Sequence, residues 1–551
     1  MGAYTIGMRV LLVQGRSPPT YWSYHYSLPF IEKAAALPPL GLATLAALLP
    51  RSWEVRIADL NVRPVTDDEI RAADAVLVSG MQIQADSMRE VLRRARALSV
   101  RTVVGGPAPT TSPESFPEAD HLFQGEAEGR LDLLVQALEQ PGSPAPRVLS
   151  PTGEGFVDMG LARVPRFDLL DLDRYSSLSI QVSRGCPFHC EFCDIIEMFG
   201  RVPRLKSPEQ VLAELEELWR LGVRGSLFLV DDNFIGNRRE VAALLPRMAA
   251  WQRDHGRPFD LYTEASLDLA GHPELIAAMV DAGFSAVFVG IESPSAEALV
   301  GAGKKQNLRM PPQEAVARLT AAGFEVFAGF IVGFDSDGPD IFDRQLELIS
   351  SIPVPRAMVG LLSAPPGTAL WRRLEAEGRI RHLPSGDQFE RPNFEPAMDE
   401  AVLLRGYRRL LASLYSAEAY YRRCRLLLDR VAVAEPSPLR SGSVAALLRV
   451  VAGIGIVGPR RGHFWRLLAH SMLRGPGSFA RAVTLAVLGE QFIRYTAEVV
   501  LPRLDRAIEA LEKAPPRVPA PAAGAAAPAG PVPGPWAVDP RAGELSAGGA
   551  T

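Results

Sequence analysis

The sequence predicts an α/β protein made of two successive βα series and a C-terminal helical module. Three observations carry this prediction. Short apolar runs alternate with helical patterns over residues 1–140, the alternation returns over 179–389, and from 390 the pattern changes to helices rich in Arg and Leu. Strands that are apolar on both faces need helices on either side, so each series predicts a parallel sheet.

In the first series the predicted strands are Arg9–Val13, Glu54–Ala58, Ala75–Ser79, Thr102–Val104 and His121–Phe123, with helices at Leu40–Leu49 and Asp86–Leu98. Three strands end in small or glycine-containing turns: Ser79-Gly80 leading to Gln82, Gly105-Gly106-Pro107, and Gln124-Gly125-Glu126. Such turns line the ligand crevice of an open parallel sheet. Tight turns alone also call for glycine, but three in one sheet favour a ligand.

Residues 141–178 start rich in Pro, Gly and Ser and lack periodicity, which predicts a linker. The second series has predicted strands at Ser179–Val182, Ser226–Leu229, Asp260–Glu264, Ala286–Gly290, Phe327–Val332 and Arg356–Leu362. Helices Pro208–Leu221, Arg238–Asp254, Pro273–Ala282 and Pro311–Ala322 lie between them. Six such strands predict a partial or complete β/α barrel with its chemistry at the C-terminal rim. Over 390–514, helices are expected at Ala401–Leu428 and Phe479–Ala514, the latter interrupted at Pro502. Residues 515–551, dominated by Pro and Ala, have too little apolar bulk to order themselves and predict a disordered tail.

At 551 residues the chain is long enough for about three to four domains. Its 59 basic and 63 acidic residues give a net charge of −4, which argues against a dedicated nucleic-acid binder. Arg422, Arg423 and Arg425 are accordingly expected on a solvated helix face. The opening residues have no secretory pattern, so a cytoplasmic location is expected. The longest apolar run, Val444–Val457, is broken by Arg449, so no membrane span is expected and peripheral association stays open.

The strongest chemical signal is Ser183-Arg-Gly-Cys186-Pro-Phe-His-Cys190-Glu-Phe-Cys193-Asp, directly after the first strand of the second series. Three of the four cysteines fall within eight residues, a metal-ligating rather than a disulfide pattern, and the fourth, Cys424, stands far away. Three thiolates hold three irons of a cubane cluster and leave one iron open for a ligand. A zinc knuckle completed by His189 is the alternative, because structural zinc takes four ligands.

The C-x3-C-x2-C spacing, with Phe192 before the last cysteine, resembles the radical S-adenosylmethionine (SAM) superfamily. The resemblance implies a catalytic 4Fe-4S cluster on Cys186, Cys190 and Cys193. It also implies SAM on the open iron, and a donor such as flavodoxin or ferredoxin whose electron cleaves SAM to a 5′-deoxyadenosyl radical. Phe192 would then pack near the adenine. Where the superfamily has a Gly-Gly-Glu type segment, this chain has Phe228-Leu-Val-Asp231-Asp232-Asn233-Phe234. The implied partner of the SAM ammonium is Asp231 or Asp232, with helix capping by Asp232 or Asn233 as the alternative. Glu264 and Glu292 stand at the rim, where they are expected either to take ribose hydroxyls or to pair with a nearby Arg or Lys. Gly329-Phe-Ile-Val-Gly333 has room for the adenine beside its backbone.

Placed upstream of such a barrel, the first series resembles the Rossmann-like cobalamin-binding domain of the cobalamin-dependent radical SAM class. The resembling residues are Pro38-Pro-Leu-Gly41-Leu, Trp53-Glu-Val-Arg-Ile-Ala-Asp59-Leu-Asn61, Ser79-Gly-Met-Gln82, Gly105-Gly-Pro107 and Gly125-Glu126. They imply cobalamin held by Ser79, Gly80, Gln82, Gly105, Gly106, Gly125 and Glu126. An Asp-x-His-x-x-Gly segment is missing after strand one, where Gln14-Gly-Arg-Ser-Pro-Pro stands. His25 is the only nearby imidazole, which implies a cobalt without a protein ligand. Longer strings, Asp194 to Lys206 and Val230 to Asn237, together with the helical module, resemble the subgroup that includes the hopanoid C-2 methyltransferase. The segment after Cys193 and the Arg-rich C-terminal module depart from it, so the substrate stays open.

The implied reaction is methylation of an unactivated carbon in a lipid-like or secondary-metabolite small molecule. One SAM methylates cob(I)alamin, a second yields the radical, and the substrate radical takes the methyl group. A cyclisation, oxidation or rearrangement without methyl transfer is the enzymatic alternative, and a corrinoid or redox sensor the non-enzymatic one. Phe464, Trp465 and Val451–Val457 are expected either to cover the barrel mouth or to form ordinary core.

Overall fold

Two six-stranded, all-parallel sheets carry the chain, as the sequence predicts. The computed structural model describes residues 7–140, 146–149, 155–432 and 443–513. The expected tail at 515–551 lies outside them, as does part of the expected linker.

The first sheet runs β2-β1-β3-β4-β5-β6. Its strands are β1 Arg9–Gln14, β2 Glu54–Asp59, β3 Ala75–Ser79, β4 Arg101–Gly105, β5 His121–Phe123 and β6 Val148–Leu149. Strand β6 stands where the sequence predicted irregular linker; two residues of paired backbone are too short to leave a periodic signature. Alternate residues of β1 enter opposite cores: Val10 and Leu12 on one face, Leu11 and Val13 on the other. The strand order reverses between β1 and β3, so the crevice lies beyond the C-terminal ends of these two strands.

The second sheet is an open half-barrel of β7 Leu178–Ile180, β10 Gly225–Leu229, β11 Phe259–Ala265, β12 Phe284–Glu292, β13 Glu325–Val332 and β14 Ala357–Leu361. β7 and β14 are its edges. A short antiparallel pair, β8 Ser183–Arg184 with β9 Arg204–Leu205, brackets the cysteine loop. Helix Pro208–Arg220 follows, started by Pro208 and by reciprocal capping between Ser207 and Gln210. Helix Ile341–Ser351, which was not predicted, follows β13.

The two faces of these strands differ. Leu227, Leu229 and Leu261 point outward and are fully buried, whereas Phe228, Tyr262 and Phe288 point inward and stay partly accessible. The inward face of the half-barrel therefore stays partly accessible at these three rings, while Phe327 and Met358 on the same face are buried.

The helical module covers the open edge at β14. Tyr407 donates its hydroxyl to the Val359 carbonyl at 2.7 Å, and Tyr415 donates to that of Ala357. Of the two roles expected for this segment, Phe464 takes that of core, whereas Trp465, Ile456 and Val457 are exposed; the run Val451–Val457 is a π-helix followed by helix Arg461–Met472. The single helix expected over Ala401–Leu428 is two, Glu400–Leu414 and Ala417–Arg430, because Ser416 caps a new start. Arg423, expected on a solvated face, is fully buried. It donates to the carbonyls of Val354 at 3.1 Å and Leu414 at 2.9 Å, because its helix packs on the barrel. The interruption at Pro502 is a π-turn, Thr496–Val500, where proline's missing N–H breaks the ladder.

The loop following β1 fastens all three parts. Tyr21 is wholly buried among Phe389, Tyr415, Phe492 and Tyr495, with ring centroids 5.1–5.3 Å away, and its hydroxyl bonds Thr496. One residue on, Trp22 meets Phe288 of β12 edge-on at 5.5 Å.

Candidate functional site

The cysteine loop is shaped by backbone before it can hold anything. Gly185 has φ +97°, and a Cβ there would lie 3.0 Å from the carbonyl oxygens of Phe199 and Gly200, so the turn into Cys186 admits only glycine. Cys186 N–H donates to Gly200 O at 3.2 Å, Cys193 N–H to Cys190 O at 3.1 Å, and Glu191 N–H to Ala302 O at 3.0 Å.

The three thiols are free and partly buried, and burial pushes all three up in pKa. Amide donors face two of them: Asn233 Nδ2 lies 3.8 Å from Cys186 Sγ and Gln306 Nε2 3.9 Å from Cys190 Sγ. Among the described residues no three His, Cys, Asp or Glu side chains converge on one point, and His189 is exposed. Thiols spread around one loop suit the separate irons of a cubane better than the single ion of a four-ligand knuckle.

Three carboxyl groups sit beside this loop. Asp231 accepts from the N–H groups of Val182 and Ser183 at 2.8 and 2.6 Å, and Asp232 accepts from Gly185 N–H at 2.8 Å. Both therefore brace the cysteine loop. The expected alternative, a helix cap, belongs to Asn237 instead. Asp231 is 1% exposed, whereas Asp232 and Glu264 are partly accessible. Burial pushes Asp231 and Glu264 up to about 7 and Asp232 to about 6. The Glu264 carboxylate makes no hydrogen bond or ion pair among the described residues, unlike those of Asp231, Asp232 and Glu292.

Glu292, at φ +68°, forms a buried ion pair with Lys304, the ion-pair alternative of its two expected roles. The Lys304 ammonium also lies 6.0 Å from the centre of the Phe192 ring, which is 6.2 Å from that of Phe334. Lys304 is a site residue the sequence reading missed. Its only signal was a charged residue in a glycine turn.

On the other side of the interface, Ser79, Gly80, Gly105 and Gly106 stand at the ends of β3 and β4 around the switch-point crevice. A Cβ on Gly106, at φ +93°, would lie 2.4 Å from Ser79 Oγ, so the turn closes only on glycine. The missed residue here is Gln84. It donates to Gly15 O and Ser17 Oγ, both at 2.8 Å, and accepts from Met81 N–H at 2.8 Å and Gln14 Nε2 at 3.0 Å. Gln82 keeps a buried, unpartnered Oε1 beside this crevice. Gly125 N–H donates to Thr110 Oγ1 at 3.1 Å. Glu126 is held in an ion cluster with Arg184 at 2.9 Å and Arg204 at 3.0 Å, with Glu128 on the other prong of Arg184 at 2.6 Å. That role joins the two sheets. His25 is exposed against Tyr26.

Helix Pro107–Thr111, at the end of β4, packs on helix Ile195–Phe199, which starts two residues after Cys193. The crevice of the first sheet and the cysteine loop of the second therefore share one interface.

Comparison with known proteins agrees with this arrangement. The model of the B12 binding domain matches residues 30–135, that of the radical SAM superfamily 180–349, and a domain of unknown function 368–502. An uncharacterised methyltransferase of Synechocystis sp. is 39% identical over 89% of this chain and 92% of its own. The hopanoid C-2 methylase of Rhodopseudomonas palustris is 35% identical over 89% of this chain and 94% of its own. The chain belongs to the cobalamin-dependent radical SAM methyltransferases. The methyltransferase shares its fold with TsrM of Kitasatospora setae, a radical S-adenosylmethionine methyltransferase solved with cobalamin and a [4Fe-4S] cluster. The TM-score is 0.59 at 16% identity, over 85% of this chain and 100% of that one. It likewise resembles the cobalamin-dependent S-adenosylmethionine radical enzyme OxsB, at TM-score 0.58 and 16% identity over 92% of this chain and 81% of that one. No helix among the described residues of the methyltransferase is long and apolar enough to cross a membrane.

Proposed function

We propose that the enzyme methylates an unactivated carbon of a bulky, largely apolar small molecule held inside the half-barrel. The single observation that carries this reading is the partly accessible, aromatic-lined inner face of the half-barrel. Phe228 stacks on Tyr262 at 4.7 Å and 10°, Trp22 meets Phe288 at 5.5 Å, and Gly329 makes room for the Phe288 ring, which lies 3.0 Å from where a Cβ would stand. Flat aromatic walls with few polar groups take a hydrocarbon skeleton and orient it by shape.

Cys186, Cys190 and Cys193 hold the iron–sulfur cluster, and the crevice at Ser79, Gly80, Gln82, Gly105 and Gly106 holds cobalamin. When bound, these groups supply the electron that cleaves SAM and the methyl group that is transferred. The protein's own residues position and exclude. Asp231 and Asp232 fix the cysteine loop, and Asp232 and Glu264 would hold the SAM ammonium and ribose hydroxyls respectively. Phe192 would flank the adenine, and the Lys304–Glu292 pair lies against its ring. The Arg184 cluster keeps the two cofactor sites in register, and the loop carrying Tyr21 and Trp22 covers Phe288 of the inner face. The reductant is a small one-electron carrier such as flavodoxin or ferredoxin, in a cytoplasmic setting.

The test is anaerobic turnover of the reconstituted enzyme with candidate polycyclic hydrocarbons. The reading expects a substrate heavier by one methyl group, with 5′-deoxyadenosine and S-adenosylhomocysteine formed together. 5′-Deoxyadenosine with an unmethylated product would replace it with a cyclisation or oxidation.

A further inference from the structure

Outside the site, one surface stands apart in both chemistry and charge. Over residues 443–489 there are six arginines and no Asp or Glu, in a chain whose overall net charge is −4. Arg461 and Arg466 are exposed and make no ion pair among the described residues. Most other surface arginines of this protein do pair, such as Arg94 with Asp67 and Arg247 with Glu209.

The same segment exposes large apolar side chains. Val444 and Leu448, one helical turn apart in helix Ser443–Val450, are 63% and 64% exposed, and at the end of the π-helix Ile456 and Val457 are 63% and 79% exposed. Trp465 is half exposed beside them, its indole N–H donating to Gly455 O at 2.9 Å. Isolated exposed aliphatics are ordinary; a contiguous set at one helical hairpin, flanked by unpaired cations, is not.

We infer that this hairpin, residues 443–473, docks the enzyme on an anionic lipid bilayer. Ile456 and Val457 enter the acyl boundary, Trp465 lies at the interface, and Arg461 and Arg466 meet headgroup phosphates. Charge decides between occupants. A twofold contact with a second copy would bring the unpaired cations Arg461 and Arg466 against their own copies. A nucleic acid would satisfy the arginines and leave the aliphatic tip in water. An acidic bilayer satisfies both.

The surface also connects with the barrel interior. Arg449 donates to the Phe30 carbonyl at 3.0 Å and pairs with Glu32 at 2.9 Å, and these residues belong to the loop that carries Trp22 to Phe288. A docked enzyme would thus hold its aromatic interior one loop away from the lipid phase.

Flotation of the reconstituted holoenzyme with vesicles tests this without turnover, so its failure leaves the methyl-transfer reading standing. Vesicles of phosphatidylcholine with one third phosphatidylglycerol are expected to bind about tenfold more protein than phosphatidylcholine alone. The pairs Ile456→Asp/Val457→Asp and Arg461→Glu/Arg466→Glu are each expected to lose that binding while retaining cobalamin and thermal stability. A blue shift of tryptophan emission on binding, absent in Trp465→Phe, is the second readout. Equal binding to both vesicle types, or wild-type binding by either pair, would overturn the inference. So would lipid-free self-association that Ile456→Asp/Val457→Asp abolishes, which would assign the surface to a second copy.

Discussion

Arg184, two residues before Cys186, reaches across to Glu128 beyond β5 at 2.6 Å, and both side chains are nearly out of solvent. Its other prong holds Glu126, which also takes Arg204 at 3.0 Å. Two carboxylates and two guanidinium groups thus lock the cobalamin-side sheet to the strand that leads into the cluster loop. Arg184→Ala leaves the buried Glu128 carboxylate without its ion partner while Glu126 keeps Arg204, so a loss of about 3–5 kcal/mol is expected, because breaking a buried pair from one side leaves an uncompensated charge. Denaturant unfolding measures the loss. Cobalamin retention on gel filtration should fall with it, whereas an exposed control pair, Arg253→Ala against Asp281, should cost under about 1 kcal/mol.

Tyr21 is the anchor of the loop that carries Trp22 to Phe288 of the half-barrel. Tyr21→Ala removes a ring wholly buried among four others and is expected to cost about 3–5 kcal/mol. Tyr21→Phe removes only the hydroxyl bonded to Thr496 and should cost about 1 kcal/mol. Both are read from urea midpoints at constant slope; equal costs would show that the hydroxyl, rather than the ring, anchors the loop.

Much of this architecture was legible in the sequence, because its elements are long and periodic: every strand from β1 to β5 and every barrel strand lies within a few residues of its predicted place. The cysteine loop was legible from spacing alone. What was not legible depends on tertiary neighbours. Arg423 reads as a surface cation because no local pattern announces that Val354 and Leu414 will offer it carbonyls. Glu126 reads as a ligand-loop residue because Arg184 and Arg204 are distant in sequence. Gln84 and Lys304 carried no motif, and nothing local in the loop from Gly15 to Glu32 announces the distant rings that Tyr21 and Trp22 meet.

Glu264 gives a pH signature. Burial first, then the charges of Asp232 and Asp231, push it up to about 7. A carboxyl raised in the folded state contributes stability that is complete below its unfolded value near 4.5 and is lost as pH rises through about 7. A cationic ligand reverses that preference. SAM binding is therefore expected to release protons and to tighten several-fold between pH 6 and 8. Calorimetry in buffers of different ionisation enthalpy measures the release, and Glu264→Gln should flatten both trends.

Cys424 offers an internal control for the cluster assignment. It is wholly buried in helix Ala417–Arg430, and burial pushes its thiol up to about 12, so it is a packing residue. Cys424→Ala should leave cluster absorbance and 5′-deoxyadenosine formation intact at a modest cost in stability. Cys186→Ala, Cys190→Ala and Cys193→Ala should each abolish both.

Electron paramagnetic resonance of the anaerobically reduced enzyme, with and without SAM labelled at its amino nitrogen, addresses the open iron directly. The account predicts a cluster signal that shifts on SAM addition, shows coupling to the label, and vanishes in each of the three cysteine variants. A signal indifferent to SAM, or one that survives loss of Cys186, Cys190 or Cys193, would contradict it.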